Sequence, residues 1–258
     1  MRGLTLSLRG SIVCPKQVGN VREEIWGAGG VRAKDGRQGS FADLPSWGGP
    51  RKNAGRKQAS MRPNVRHRVR PVHRAWCPVH VTMRRAKGLP SLRSELVHRE
   101  LREAVRATRR DDFRIAEYSV QADHIHLIVE AEDGPALSAG MKSFSVRAAR
   151  RLNTRVLRRH GSVWGDRYHR RDLGSPRAVR NVLVYVINNH LKHRETEAGL
   201  VDPCSSAPWF RGWMQRVDQP PGVSPVERAR TWLLDRGWHG EIHFLHLGEA
   251  PRAARPQR

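Results

Sequence analysis

Acidic side chains are scarce in this chain: 24 Asp and Glu stand against 48 Lys and Arg, a formal charge of +24. A compact fold with such an excess repels itself unless a polyanion is its partner, so the balance points to nucleic acid. Cysteine is scarce too. The three, Cys14, Cys77 and Cys204, lie far apart and show no C-x-x-C spacing. That speaks against a disulfide framework and a thiolate zinc site, and it suits a reducing cytosol. No apolar run approaches the ~20 residues that cross a bilayer, so no membrane partner is expected. The start, MRGLTLSLRGSIVCPKQ, is only weakly apolar and lacks a small-residue cleavage site, so it is not read as a signal peptide. Aromatic residues make up 6% of the chain, and the strand HIHLIVEAE has none. This counts against a sheet that stacks RNA bases, the plainest non-enzymatic alternative. Tyrosines number three, Tyr118, Tyr168 and Tyr185, so the search for a phenolic nucleophile is short.

What is present divides the chain into three parts. Residues 1–70 are rich in Gly, Arg and Lys without a lasting period and read as a basic, disordered arm. Residues 71–216 carry the periodic segments, and 217–258 read as a tail, partly helical or disordered. In the central part, AWCPVHVTMR alternates as a strand, with Val79, Val81 and Met83 on one face. Pro90 and Ser91 then open a helix whose stripe is Leu92, Leu96, Val97, Leu101, Ala104 and Val105. Two strands follow, FRIAEYSVQ and HIHLIVEAE, joined by a short turn near Ala122. A second helix starts at Pro135 and buries Leu137, Met141, Phe144, Ala148 and Leu152. Its other face is basic, including Arg147, Arg150, Arg151 and Arg155, which we read as phosphate-facing. A loop and fourth strand, SVWGDRYHRRDL, precede a third helix capped by Ser175 and Pro176. The order β-α-β-β-α-β-α predicts an α+β fold. Its core is a ferredoxin-like antiparallel sheet with helices on one face, followed by a C-terminal helix that carries the chemistry.

His124 and His126 are two apart on a predicted strand, so they project side by side. Two imidazoles can bind a divalent cation, or can line a polar face. On the third helix Tyr185 and Asn189 are four apart and would share a face. Placed near the histidines, they would suit phosphoryl transfer, in which a metal polarises phosphate and a phenol attacks phosphorus. Tyr118 reads as packing, and Tyr168 is the rival nucleophile.

Three segments together, HIHLIVEAE, VWGDRYHRRDL and VLVYVINNHLKH, resemble the IS200-like, REP-associated single-tyrosine transposases, which are His-hydrophobic-His endonucleases. The resemblance covers roughly residues 74–216. It implies that His124 and His126 bind Mg²⁺ or Mn²⁺, with Asn189 as third ligand. It implies that Tyr185 is the nucleophile, forming a 5′-phosphotyrosine link and freeing a 3′-OH. Tyr168 falls where the family usually has Phe, which argues against it. Arg167, Arg170, Arg171 and Lys192 fall in or beside the matching segments and join the expected DNA contacts. The implied partner is single-stranded or hairpin DNA, the implied assembly a homodimer, and the implied setting the bacterial cytoplasm at the nucleoid. Two positions depart from the family pattern: Asp123 replaces Asn before the first His, and His190 replaces Pro after Asn189. A domesticated, inactive hairpin-binding protein is the alternative these departures leave open.

Overall fold

A computed structural model describes residues 70–193, 201–239 and 244–251. The basic arm, apart from Arg70, lies outside the described residues, as does the side chain of Lys192. The elements are β1 (Val79–Arg84), α1 (Glu95–Arg106), β2 (Phe113–Val120), β3 (His124–Ala131), α2 (Gly134–Arg151), β4 (His169–Asp172), α3 (Pro176–Ile187) and α4 (Asn189–His193). The strands form one sheet in the order β2-β3-β1-β4, each pair antiparallel. This is the ferredoxin-like arrangement that the β-α-β-β-α-β order predicts.

Alternation along the strands builds two layers. Val79, Val81, Met83, Ile125, Leu127 and Val129 face α1 and α2 in the larger core. All five residues of the predicted α2 stripe are buried there. Asp133 caps α2 by accepting from the Ala136 amide at 2.7 Å, one residue earlier than Pro135 alone suggests. Two expectations for α1 change. The helix begins at Glu95 rather than Ser91, and Leu96 is 51% exposed because it lies off the buried stripe of Val97, Leu101, Ala104 and Val105.

The opposite sheet face is covered by α3, whose Val179, Val182, Leu183, Val186 and Ile187 pack with Ile128. Helices thus occupy both faces: α1 and α2 on one, α3 on the other. Ser175 caps α3 as expected, accepting from the Ala178 amide at 3.2 Å. The third helix is not continuous. Asn188 (φ −102°, ψ 19°) breaks it, and its Nδ2 donates to the carbonyls of His246 and Glu249 at 3.0 and 2.9 Å.

Much of the region beyond residue 200 completes this second layer. Phe210, Trp213, Leu233, Leu234, Trp238 and Leu245 are buried with α3. Within 217–258, expected as a partly helical or disordered tail, Leu233, Leu234, Trp238 and Leu245 are therefore packed. Buried Glu130 on β3 fixes it, accepting from the Thr231 amide and hydroxyl at 2.9 and 2.6 Å, the Arg230 amide at 2.8 Å and the Arg114 guanidinium at 3.2 Å. Arg180 and Glu249 add a two-pronged ion pair at 2.7 and 3.1 Å.

Candidate active site

The face of the sheet that α3 covers carries the polar half of each strand's alternation. On β3 these residues are His124 and His126, and on β1 they are His80, Thr82 and Arg84. The antiparallel register sets Thr82 opposite His126 and Arg84 opposite His124. On the edge strand β4, Arg171 pairs with His80 and His169 with Thr82, so both share this face.

The Nε2 atoms of His124 and His126 converge to 2.9 Å. Their other ring nitrogens are engaged from behind. Nδ1 of His124 meets Asp123 Oδ1 at 2.5 Å. That contact holds the Asp123 carboxyl below its usual range, so it is a carboxylate that accepts the His124 proton. Nδ1 of His126 lies 3.1 Å from both His80 Nε2 and Thr82 Oγ1. Burial, and then the neighbouring Arg171, His169 and His124, push His80 down to about 4. It is therefore a neutral ring at neutral pH, able to accept from Nδ1–H of His126. In the tautomers that carry the proton on Nδ1, both front nitrogens present lone pairs toward one point.

Tyr185, near the end of α3, closes the other side. Its ring centroid is 5.0 Å from that of His126 and 6.1 Å from that of His80, both edge-on. Burial raises the phenol above its ordinary range, and Arg84 acts in the opposite sense.

A divalent ion with bonds of about 2.1 Å at right angles would need ligand nitrogens about 3 Å apart, which matches the histidine pair. A carboxylate behind one ring and a fixed imidazole behind the other are typical supports for metal-binding histidines. Asn189 opens α4 and is fully buried, and among the described residues neither its Oδ1 nor its Nδ2 has a hydrogen-bond partner. A buried carboxamide without a partner, four residues after Tyr185, is a group that a bound cation would satisfy. Among the described residues, no three of His, Cys, Asp and Glu form a metal cluster, so an all-acid or three-histidine centre does not arise.

Against this geometry, residues 74–189 match the family model described as "Transposase IS200 like". This segment belongs to the IS200-like transposase family. Among solved structures, the transposase domain is similar to a REP-associated tyrosine transposase bound to a REP hairpin. That likeness is at 18% identity and a TM-score of 0.48, covering 64% of this chain and 99% of that one. Among curated proteins none matches.

The transposase fold brings His124, His126 and Tyr185 together, and places Arg171 on the same face. The remaining expected DNA contacts lie elsewhere. Arg170 points to the opposite face and is held by Asp172 at 2.6 and 2.7 Å. Arg147, Arg150, Arg151 and Arg155 lie on α2 or its continuation, with the sheet between them and the histidines. Arg151 pairs with buried Glu100 at 3.0 Å, while Arg147, Arg150 and Arg155 are exposed. Arg167 is exposed in the loop before β4.

Sequence reasoning missed His80, Thr82 and Arg84. The signal was available: the alternation that puts Val79, Val81 and Met83 on one face puts these three on the other. The ferredoxin-like order then sets β1 beside β3.

Proposed function

We propose that this chain is a metal-dependent single-tyrosine transposase. It would cut and rejoin single-stranded or hairpin DNA through a 5′-phosphotyrosine intermediate. The observation that carries this reading is the convergence of the His124–His126 pair and the Tyr185 ring on one sheet face, with centroids 4.6 and 5.0 Å apart. His124, His126 and Asn189 would hold Mg²⁺ or Mn²⁺. The chemistry such an ion supplies when bound is withdrawal of charge from a non-bridging phosphate oxygen.

The chain's own residues do the rest. Asp123, Thr82 and His80 hold the two rings in the tautomers that present free nitrogens. Tyr185 Oη attacks phosphorus and loses its proton to water. The O–P bond forms, the P–O3′ bond breaks, and the departing O3′ takes up a proton to become a 3′-OH. A terminal 3′-OH can reverse these steps, giving strand joining. The exposed Arg147, Arg150 and Arg155 suit the flanking DNA backbone rather than the scissile phosphate. Among the described residues no helix is long and apolar enough to cross a membrane.

The test is to incubate the full chain with single-stranded hairpin oligonucleotides and Mn²⁺ and look for a covalent protein–DNA adduct. An adduct that vanishes with Tyr185→Phe supports the reading. A wild-type chain that forms none, or a variant that forms as much, overturns it.

A further inference from the structure

We infer that Arg84 is the cation that grips the scissile phosphate beside Tyr185. This rests on the phosphotyrosine reading above and adds to it a residue that the family motifs do not include.

Position comes first. Arg84 is the last residue of β1 and pairs directly with His124 across the sheet. It follows His80 and Thr82 at strand spacing, so it emerges on the face that holds the ring pair and Tyr185. Its charge reaches both neighbours of the site, favouring the ionised forms of Tyr185 and Asp123.

Availability comes second. Most arginines around Arg84 are already engaged. Arg85 donates to the carbonyls of Ala122 and Ala86 at 3.2 and 3.4 Å. Arg170 is locked to Asp172, and Arg93 to Asp202 at 2.9 Å. The Arg84 side chain is exposed, and among the described residues it makes no hydrogen bond or ion pair.

The backbone, by contrast, is pinned on both sides. The Arg84 carbonyl accepts from the Gly165 amide at 3.0 Å, and the next amide donates to Asp123 at 2.9 Å. A Cβ on Gly165 would meet the Arg85 carbonyl at 3.2 Å, so a side chain there would push the VWGDR loop back from this strand by a few tenths of an ångström. A guanidinium left without a partner on a fixed strand end, beside a nucleophile and a candidate metal pair, suits a phosphate oxygen. In that place it offsets charge on the phosphate as the Tyr185 oxygen closes on phosphorus. The phosphate takes up the two guanidinium donors without any proton changing hands.

The experiment has two arms, both on the full chain. In the first, the Tyr185→Phe protein is treated with phenylglyoxal, which modifies arginine, with and without a 12-nucleotide single-stranded oligothymidylate and Mn²⁺. Arg84 modification is expected to slow severalfold with the oligonucleotide, while exposed Arg106, at the end of α1 on the far side of the sheet, supplies the reference rate. Equal modification of Arg84 under both conditions overturns the proposal. In the second arm, Arg84→Gln is expected to slow adduct formation on hairpin oligonucleotides by roughly 10²-fold, as removal of one charge-stabilising donor does. Arg84→Lys is expected to recover part of the rate, since it restores a point charge without the fork. Adduct formation by Arg84→Gln at the wild-type rate also overturns the proposal. If the wild-type chain forms no adduct but Arg84 is protected, the tyrosine chemistry fails and the phosphate contact stands.

Discussion

His80 on β1 and His126 on β3 meet at 3.1 Å, Nε2 to Nδ1, with ring centroids 5.1 Å apart. The contact fixes which nitrogen of His126 is left free at the front. His80→Phe removes the acceptor behind His126 while keeping a ring of similar size. Mn²⁺ affinity is expected to fall about 10–100-fold, the usual effect of losing a supporting partner. Thr82→Val is expected to act in the same direction. Calorimetric titration with Mn²⁺ measures both, and unchanged affinity in the two variants would count against the assigned tautomers.

Tyr185→Phe keeps the ring against α3's layer and removes only the hydroxyl. Covalent adduct formation is expected to disappear, while hairpin binding on a gel shift and the thermal melting curve stay close to wild type. Tyr168→Phe is expected to leave the adduct intact, which separates the two tyrosines.

Asn189 offers a case in which stability and metal binding part company. A buried amide without partners costs roughly 1–3 kcal/mol. Asn189→Leu, similar in volume, is expected to melt in EDTA at an equal or higher temperature than wild type. Its Mn²⁺ affinity is expected to drop. A variant that melts lower and binds Mn²⁺ normally would show that the side chain serves the core alone.

Gly140 on α2 packs under the Phe113 ring, and a Cβ there would approach Phe113 Cγ to 2.1 Å. Phe113 is fully buried, so the ring has little room to retreat. Gly140→Ala is expected to destabilise the fold by about 1–3 kcal/mol, the cost of overpacking. Gly134→Ala, with nothing within 4 Å of its Cβ, is the near-neutral control in a denaturant titration.

Two partly buried groups give stability opposite slopes with pH. Burial, with Arg102 nearby, pushes His98 down to about 4 from 6.5. Its contribution is present above pH 6.5 and is lost as pH falls toward 4. Burial pushes Glu117 up to about 8 from 4.5, with the Ser206 hydroxyl only partly offsetting it. Stability from this group is complete below pH 4.5 and drains away as pH rises to about 8. His98→Gln is expected to flatten the acid limb of a plot of unfolding free energy against pH, and Glu117→Gln the alkaline limb. A wild-type curve without either slope would contradict both.

The fold was legible where a periodic pattern met a physical stop. Pro135, and Ser175 with Pro176, mark two helix starts to within a residue, and the α2 stripe is apolar at every expected turn. The histidine pair and Tyr185 were legible because strand alternation and motif spacing carry them. The break at Asn188 was not, since it depends on carbonyls of His246 and Glu249, some sixty positions away. Nor was the second layer: Trp213, Trp238 and Leu245 come from short, irregular segments with no period to read. The fate of the arginines was hidden for a similar reason. Nothing local tells that Arg93 is held by Asp202, 109 positions away, while Arg84 is not.

The family match ends at residue 189, yet β3 carries Glu130 on the same face as His124 and His126. That carboxylate is satisfied largely from residues 230 and 231. A gene fragment ending with the matched segment would therefore encode a strand with a buried anion stripped of most of its donors, and a tyrosine helix stripped of its apolar cover. The smallest heritable unit of this domain extends past its recognisable motif by some sixty codons, to the Glu249 that anchors Arg180. Truncations that spare every motif residue should be as damaging to it as lesions in the motifs themselves.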